Sequence, residues 1–176
     1  MGSFAAGAWS SAPAATASTG DYYDAQILAT QTHISVIWQQ GSNAVFGRTS
    51  ASQANVSWGT AINISGFGTN LQNLRIVASP SGTWVVSYNR VSPTAPGNLR
   101  PTYVLSTNQG TSWATPVFYA SSNFQNYVGQ AVADSTGAIV LLWNEQAPDL
   151  RIRSAVITST VSNPDPRTIY QVAEIN

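Results

Sequence analysis

Asn73-Leu-Arg-Ile-Val-Ala-Ser79, then Pro80-Ser-Gly-Thr83, then Trp84-Val-Val-Ser-Tyr88 reads as a strand, a tight turn and a second strand. β-Branched and aromatic residues fill the two flanks, and Pro, Ser and Gly fill the gap. The same pattern occurs upstream, where Asp24-Ala-Gln-Ile-Leu-Ala-Thr30 precedes Ile34-Ser-Val-Ile-Trp38. It occurs again downstream, where Gly129-Gln-Ala-Val-Ala-Asp134 precedes Ile139-Val-Leu-Leu-Trp143. The aromatic near the end of each second strand falls at 38, 88 and 143, giving steps of 50 and 55. The aligned Ala29, Ala78 and Ala133 give 49 and 55, so two landmarks agree on one period.

A third apolar segment follows each pair: Val45–Thr49, Thr102–Ser106 and Ser154–Thr158. A fourth closes each unit: Ala61–Ile64, Pro116–Tyr119 and Thr168–Val172. Helical periodicity is missing throughout. Four short strands in ~40–50 residues is the period of a propeller blade. The pattern therefore predicts an all-β chain, a β-propeller of about three four-stranded antiparallel blades. The blades are expected at 21–66, 67–120 and 121–176. Trp9-Ser-Ser-Ala-Pro13 repeats the Trp58 and Trp113 context, so 1–20 is expected to be the outer strand of an incomplete blade, serving as a latch. Three blades fall short of the about four to eight that close a ring. Two chains are expected to combine as a homodimer into a six-bladed ring; the competing expectation is a fragment of a longer ring.

Charged residues make up 8 % of the chain, and apolar ones 43 %. Typical domains carry about 25 % charge, so solubility rests here on neutral Ser, Thr, Asn and Gln. The seven basic residues are all Arg and the net charge is zero. That leaves no basic footprint for nucleic acid and no polybasic stretch for an anionic membrane. Cys is absent, which removes disulfides and thiolate metal sites. No acidic cluster has calcium-loop spacing, and no cofactor is expected. The lone His33 at a strand start reads as a turn residue. The first twenty residues lack the pattern of a signal peptide. A secreted or cell-surface location, on a bacterial exterior, is the expectation, with the export signal removed or the chain part of a longer protein.

Ser106-Thr-Asn-Gln-Gly-Thr-Ser-Trp113 resembles the Asp box, Ser-x-Asp-x-Gly-x-Thr-Trp, of bacterial sialidases and related propellers. In this motif the acidic or amide side chain folds back onto turn N–H groups, the Gly takes a positive φ and the Trp packs across the outer strands. Here Asn108 replaces the Asp. The first unit has a degenerate copy with Asn55 at the Gly position, and the third has Pro164 and Pro166 instead. The resemblance implies a structural turn on the face away from a ligand. It also raises sialidase chemistry, which needs three arginines on a carboxylate, a Tyr–Glu pair and an Asp acid. Arg75-Ile-Val resembles the family's Arg-Ile-Pro, yet the Pro is missing and the distance to Gly82 is about three residues short of the family pattern. No catalytic residue is assigned.

Each strand-4-to-strand-1 connection carries amides or carboxylates beside a ring or apolar residue. Asn70-Leu-Gln-Asn-Leu74 matches Asn123-Phe-Gln-Asn-Tyr127, and Asp21-Tyr-Tyr-Asp24 takes the corresponding place in the first unit. Amides match sugar hydroxyls with paired donors and acceptors, and rings stack on the apolar sugar face. The expected ligand-binding residues are Asp21, Tyr22, Tyr23, Asp24, Asn70, Gln72, Asn73, Arg75, Asn123, Phe124, Gln125, Asn126 and Tyr127. The expected partner is a glycan, and carbohydrate binding is favoured over catalysis. The alternatives are a fragment or half-ring of a sialidase-like glycoside hydrolase, and a purely structural, self-assembling module. The Pro- and Gly-rich stretch from Arg90 to Pro101 is expected to be a long loop that lines a site or projects into solvent.

Overall fold

The computed structural model describes residues 22–51, 56–66, 70–92, 95–118, 126–146, 150–158 and 167–171. These residues form three four-stranded antiparallel sheets, each a simple meander in chain order, and no helix. The first holds β1 (Tyr22–Ala29), β2 (Ile34–Gln40), β3 (Ala44–Ser50) and β4 (Ile62–Asn63). The second holds β5 (Gln72–Ala78), β6 (Trp84–Ser92), β7 (Ala95–Ser106) and β8 (Val117–Phe118). The third holds β9 (Asn126–Ala133), β10 (Ile139–Glu145), β11 (Arg151–Ile157) and β12 (Arg167–Gln171). The opening strands are neighbours in space: β5 lies against β1 on one side and β9 on the other.

Because side chains alternate between the faces of a strand, one sheet can serve two cores. The middle sheet does so. In one seam, Ile37 and Val45 of the first sheet, with Ile64, meet Val86, Tyr88 and Val104 of the second. In the other, Val85 and Tyr103 meet Ile139, Leu141, Trp143 and Ala155 of the third. Every residue from Trp84 to Asn89 is consequently buried. That explains the unbroken apolar run in Trp84-Val-Val, where a half-exposed strand would alternate.

The turn 106–113 ties β7 back on itself. Asn108 Oδ1 accepts the Ser112 amide at 2.9 Å and the Ser106 hydroxyl at 3.0 Å, and the Gly110 amide donates to Ser106 Oγ at 2.9 Å. Gly110 has φ +80, the left-handed conformation that favours glycine. Trp113 packs against the seam between the first and second sheets.

The stretch expected to be a loop, Arg90 to Pro101, is instead a continued hairpin. β6 and β7 run on through the pairs Asn89↔Pro101, Arg90↔Arg100 and Val91↔Leu99, with an irregularity near Ser92. Among the described residues β8 pairs with Thr102 and Tyr103, so Pro101 lies just past the described end of that pairing, at a position of the kind where a strand tolerates proline. Arg90 and Arg100 stand directly opposite each other, which repulsion disfavours. Both guanidinium groups lie near the Phe118 ring, at 4.4 and 5.9 Å from its centroid, where the ring's negative face offsets that repulsion. Residues 1–20, Asn55, Pro164 and Pro166, on which the expected latch and the degenerate turns rest, lie outside the described residues.

Candidate functional site

The residues expected to bind a ligand cluster at the start of β1, β5 and β9, where each strand carries a bulge. Tyr23 pairs with Gln39 and Gln26 with Ile37, so Asp24 and Ala25 together oppose Trp38. Asn73 and Leu74 oppose Tyr88 in the same way, and β9 shifts register between Val128 and Gln130. Asp24 and Asn73 take φ +48 and +57 at equivalent positions, which Asn and Asp tolerate better than most residues. The extra residue turns side chains out of the ladder, and the Asp24 carboxylate then reaches the next sheet. Its Oδ2 accepts the Leu74 amide at 2.6 Å, and its Oδ1 accepts the Gln26 amide at 3.3 Å.

Arg75 Nη1 donates to the Leu74 carbonyl at 2.7 Å. The Leu71 amide donates to the Ser42 carbonyl at 3.1 Å, and the Leu71 side chain is buried between the sheets. Asp24 and Leu71 thus serve the join between the first and second sheets, while Arg75 is engaged by the backbone of its own strand. Tyr23, Asn70 and Gln72 are exposed, and Tyr127 is half-buried on β9. Tyr22 and Asn126 open β1 and β9. Asp21, Asn123, Phe124 and Gln125 lie outside the described residues.

A cavity of about 650 Å³ opens at the other end of the same three strands. It is built by the β1–β2, β5–β6 and β9–β10 turns, one from each sheet, together with Gln109. Thr30, Gln31, Thr32, Ser79, Gln109 and Ser135 supply hydroxyls and amides; Leu28, Pro80, Trp84 and three alanines supply the apolar wall. The volume falls within the roughly 300–1,000 Å³ of small-ligand sites. The same local cause shapes all three turns. Thr30, Ser79 and Asp134 each follow the aligned alanine, and their amides donate to the carbonyls of His33, Thr83 and Ala138 at 2.9, 2.8 and 2.9 Å. That shared position after Ala29, Ala78 and Ala133 is the sequence signal that points to this cavity. Their convergence is a tertiary fact that no local pattern carries.

Among the lining residues Asp134 alone is ionisable. Its Oδ1 accepts the Thr136 hydroxyl at 2.7 Å and the Thr136 and Ala138 amides at 2.8 and 2.9 Å. The Thr136 hydroxyl chiefly, with the amides of Ala138, Thr136 and Gly137, holds this carboxyl below the usual carboxylate range against a desolvation that raises it. Glu145, the third carboxylate among the described residues, lies 3.4 Å from Arg153 Nε. His33 is a turn residue: its ring bonds the Thr32 hydroxyl at 2.8 Å and meets Trp84 edge-on, with centroids 6.1 Å apart. Among the described residues no three His, Cys, Asp or Glu side chains converge to hold a metal.

Among the described residues, fold and site thus define an all-β arrangement of three meander sheets with an amide- and hydroxyl-lined cavity between their first turns. The chain matches no protein-family model and no curated protein sequence.

Proposed function

We propose that the chain is a propeller module of the sialidase-repeat (Asp-box) kind that binds a neutral glycan without cleaving it. Three features support the propeller: successive four-stranded meanders, opening strands set side by side, and a turn at 106–113 held by Asn108 and Gly110. The observation that carries the ligand class is the lining of the 650 Å³ cavity, which includes Gln109 of the 106–113 turn and so moves the proposed site from the strand-4-to-strand-1 end expected from the sequence to the opposite end of the strands. Amides and hydroxyls pair with the mixed donors and acceptors of sugar hydroxyls, and the apolar wall suits a sugar's C–H face. A charged ligand would find one carboxylate there, already engaged by its own turn.

Binding is preferred to hydrolysis because the described carboxylates each serve a fold contact: Asp24 with Leu74, Asp134 with its turn, and Glu145 with Arg153. A glycoside hydrolase needs two carboxyl groups flanking one bond. The test is a screen on immobilised glycans, followed by titration of the best binder. Gln109→Ala should weaken binding about three- to tenfold, the loss of one hydrogen bond. Release of a reducing sugar from the bound glycan, or affinity unchanged by Gln109→Ala, would overturn the reading.

A further inference from the structure

The internal seams show how one sheet receives the next. On β6, Val86 and Tyr88 face the first sheet, and Val85 faces the third. The repeat places Ile34, Val36 and Trp38 in register with Trp84, Val86 and Tyr88, and these with Ile139, Leu141 and Trp143. In the second and third sheets this row packs against the preceding sheet. In the first sheet it lies on the outward side, where Ile34 and Val36 are half-buried, Trp38 is buried beside the stacked Phe46 ring, and Ile27, which pairs with Val36, is 66 % exposed. The opposite row, represented by Ile37 in the first sheet and Val85 in the second, packs against the following sheet. In the third sheet that row is Val140 and Leu142, which faces outward. Its cross-strand neighbours Val132 and Val156, and Ile152 beside them, are 54, 47 and 40 % exposed.

We propose that the outward face of the third sheet docks on the outward face of the first sheet of a second copy of this chain. The two faces are the halves of an interface that the chain already forms twice internally, so each is shaped for the other by the repeat. A contact between two different faces closes only if the rotation completes a circle. The inference rests on the propeller reading here: rings hold about four to eight sheets, and two copies of the three sheets among the described residues make six, within that range. Two chains therefore close the ring through two equivalent contacts.

The test is solution mass by light scattering during size exclusion. The unmodified chain should run at twice 18.6 kDa. Ile27→Asp and Val156→Asp each place a carboxylate on one docking face at an exposed site, and each should give a folded particle of single-chain mass, with the fold checked by circular dichroism. Mixing the two variants at raised concentration should restore a two-chain particle, because the intact third sheet of one meets the intact first sheet of the other. A single-chain mass for the unmodified protein would overturn the inference and mean that another occupant covers these faces. So would a mass above two chains, an effect from one variant alone, or no recovery on mixing. Glycan binding is a separate readout. A single-chain particle that still binds defeats the docking inference alone, and a two-chain particle that binds no glycan defeats the glycan reading alone.

Discussion

The Asp24 carboxylate accepts the backbone amide of Leu74 at 2.6 Å. The two residues are 50 positions apart and occupy corresponding bulges in neighbouring sheets. The bulge takes Leu74 out of the regular β5–β6 register, and the carboxylate of the adjoining sheet meets its amide. An ionised acceptor makes a stronger bond than a neutral one. Asp24→Ala should lower stability by about 1–3 kcal/mol, the cost of stranding a poorly solvated donor. Asp24→Asn keeps an acceptor and suits φ +48, so it should cost under about 1 kcal/mol. Urea unfolding of the three proteins checks the order, and an alanine variant as stable as the parent would show the bond to be dispensable.

Gly110 joins the turn at 106–113 to the wall of the cavity. A Cβ there would lie 2.7 Å from Trp84 Cζ3 and 2.8 Å from Thr49 Oγ1, at φ +80. Trp84 is buried and has little room to move. Gly110→Ala should therefore cost about 1–3 kcal/mol from overpacking, beyond the backbone term. Gly41 has φ +57 with open space around its missing Cβ. Gly41→Ala isolates the backbone term, about 1–2 kcal/mol. Thermal melts should rank Gly110→Ala clearly below Gly41→Ala; equal losses would remove the Trp84 contact from the account.

The strands were legible because their cause is local. Trp84-Val-Val-Ser-Tyr88 and Ile139-Val-Leu-Leu-Trp143 are β-prone on residue type, and the turns between them are marked by Gly, Pro and Asp. The amide turn at Asn108 was legible for the same reason. The β6–β7 extension was hidden because Pro96, Gly97 and Pro101 read as loop formers, while the cross-strand pairing that carries the hairpin onward leaves no mark in residue type. The roles of Asp24 and Arg75 were hidden for a different reason. A carboxylate and a guanidinium near a strand start look like ligand groups, while their partners, the Leu74 amide and carbonyl, are backbone atoms and leave no mark in residue type. The cavity residues fall between these cases: Thr30, Ser79 and Asp134 share a repeat position, but their meeting around one space depends on how the sheets are set.

Tyr88 is buried in the seam between the first and second sheets, and its hydroxyl has no hydrogen-bond partner among the described residues. Burial pushes its ionisation well above the ordinary tyrosine range, with the Arg90 charge opposing. Tyr88→Phe keeps the ring and removes a desolvated hydroxyl, so stability at neutral pH should hold or rise by up to about 1 kcal/mol. The unfolded chain ionises this phenol near its ordinary value of about 10, while the folded chain keeps the proton. The parent should lose stability as pH rises above that value, and Tyr88→Phe should lose less. Denaturant midpoints measured across alkaline pH decide it: parallel curves would mean that Tyr88 contributes nothing to the slope.

Asp134 yields the opposite sign at the cavity mouth. Its carboxyl is held below the usual range chiefly by the Thr136 hydroxyl, with backbone amides adding to this. A depressed folded value means that the ionised turn contributes fully above the unfolded value of about 3.9 and is lost as pH falls through the lower folded value. Asp134→Asn retains an acceptor for the Thr136 and Ala138 amides and does not titrate. Its melting temperature relative to the parent should be lowest at neutral pH, and the gap should narrow as the solution is acidified through the carboxylate range. Glycan binding by this variant should be unchanged, because the acceptor Oδ1 faces its own turn. A melting gap that stays constant with pH would show that the charge does not strengthen the turn. A loss of glycan binding would instead place the carboxylate in contact with the sugar and shift the ligand class toward one that offers several donors to an anion.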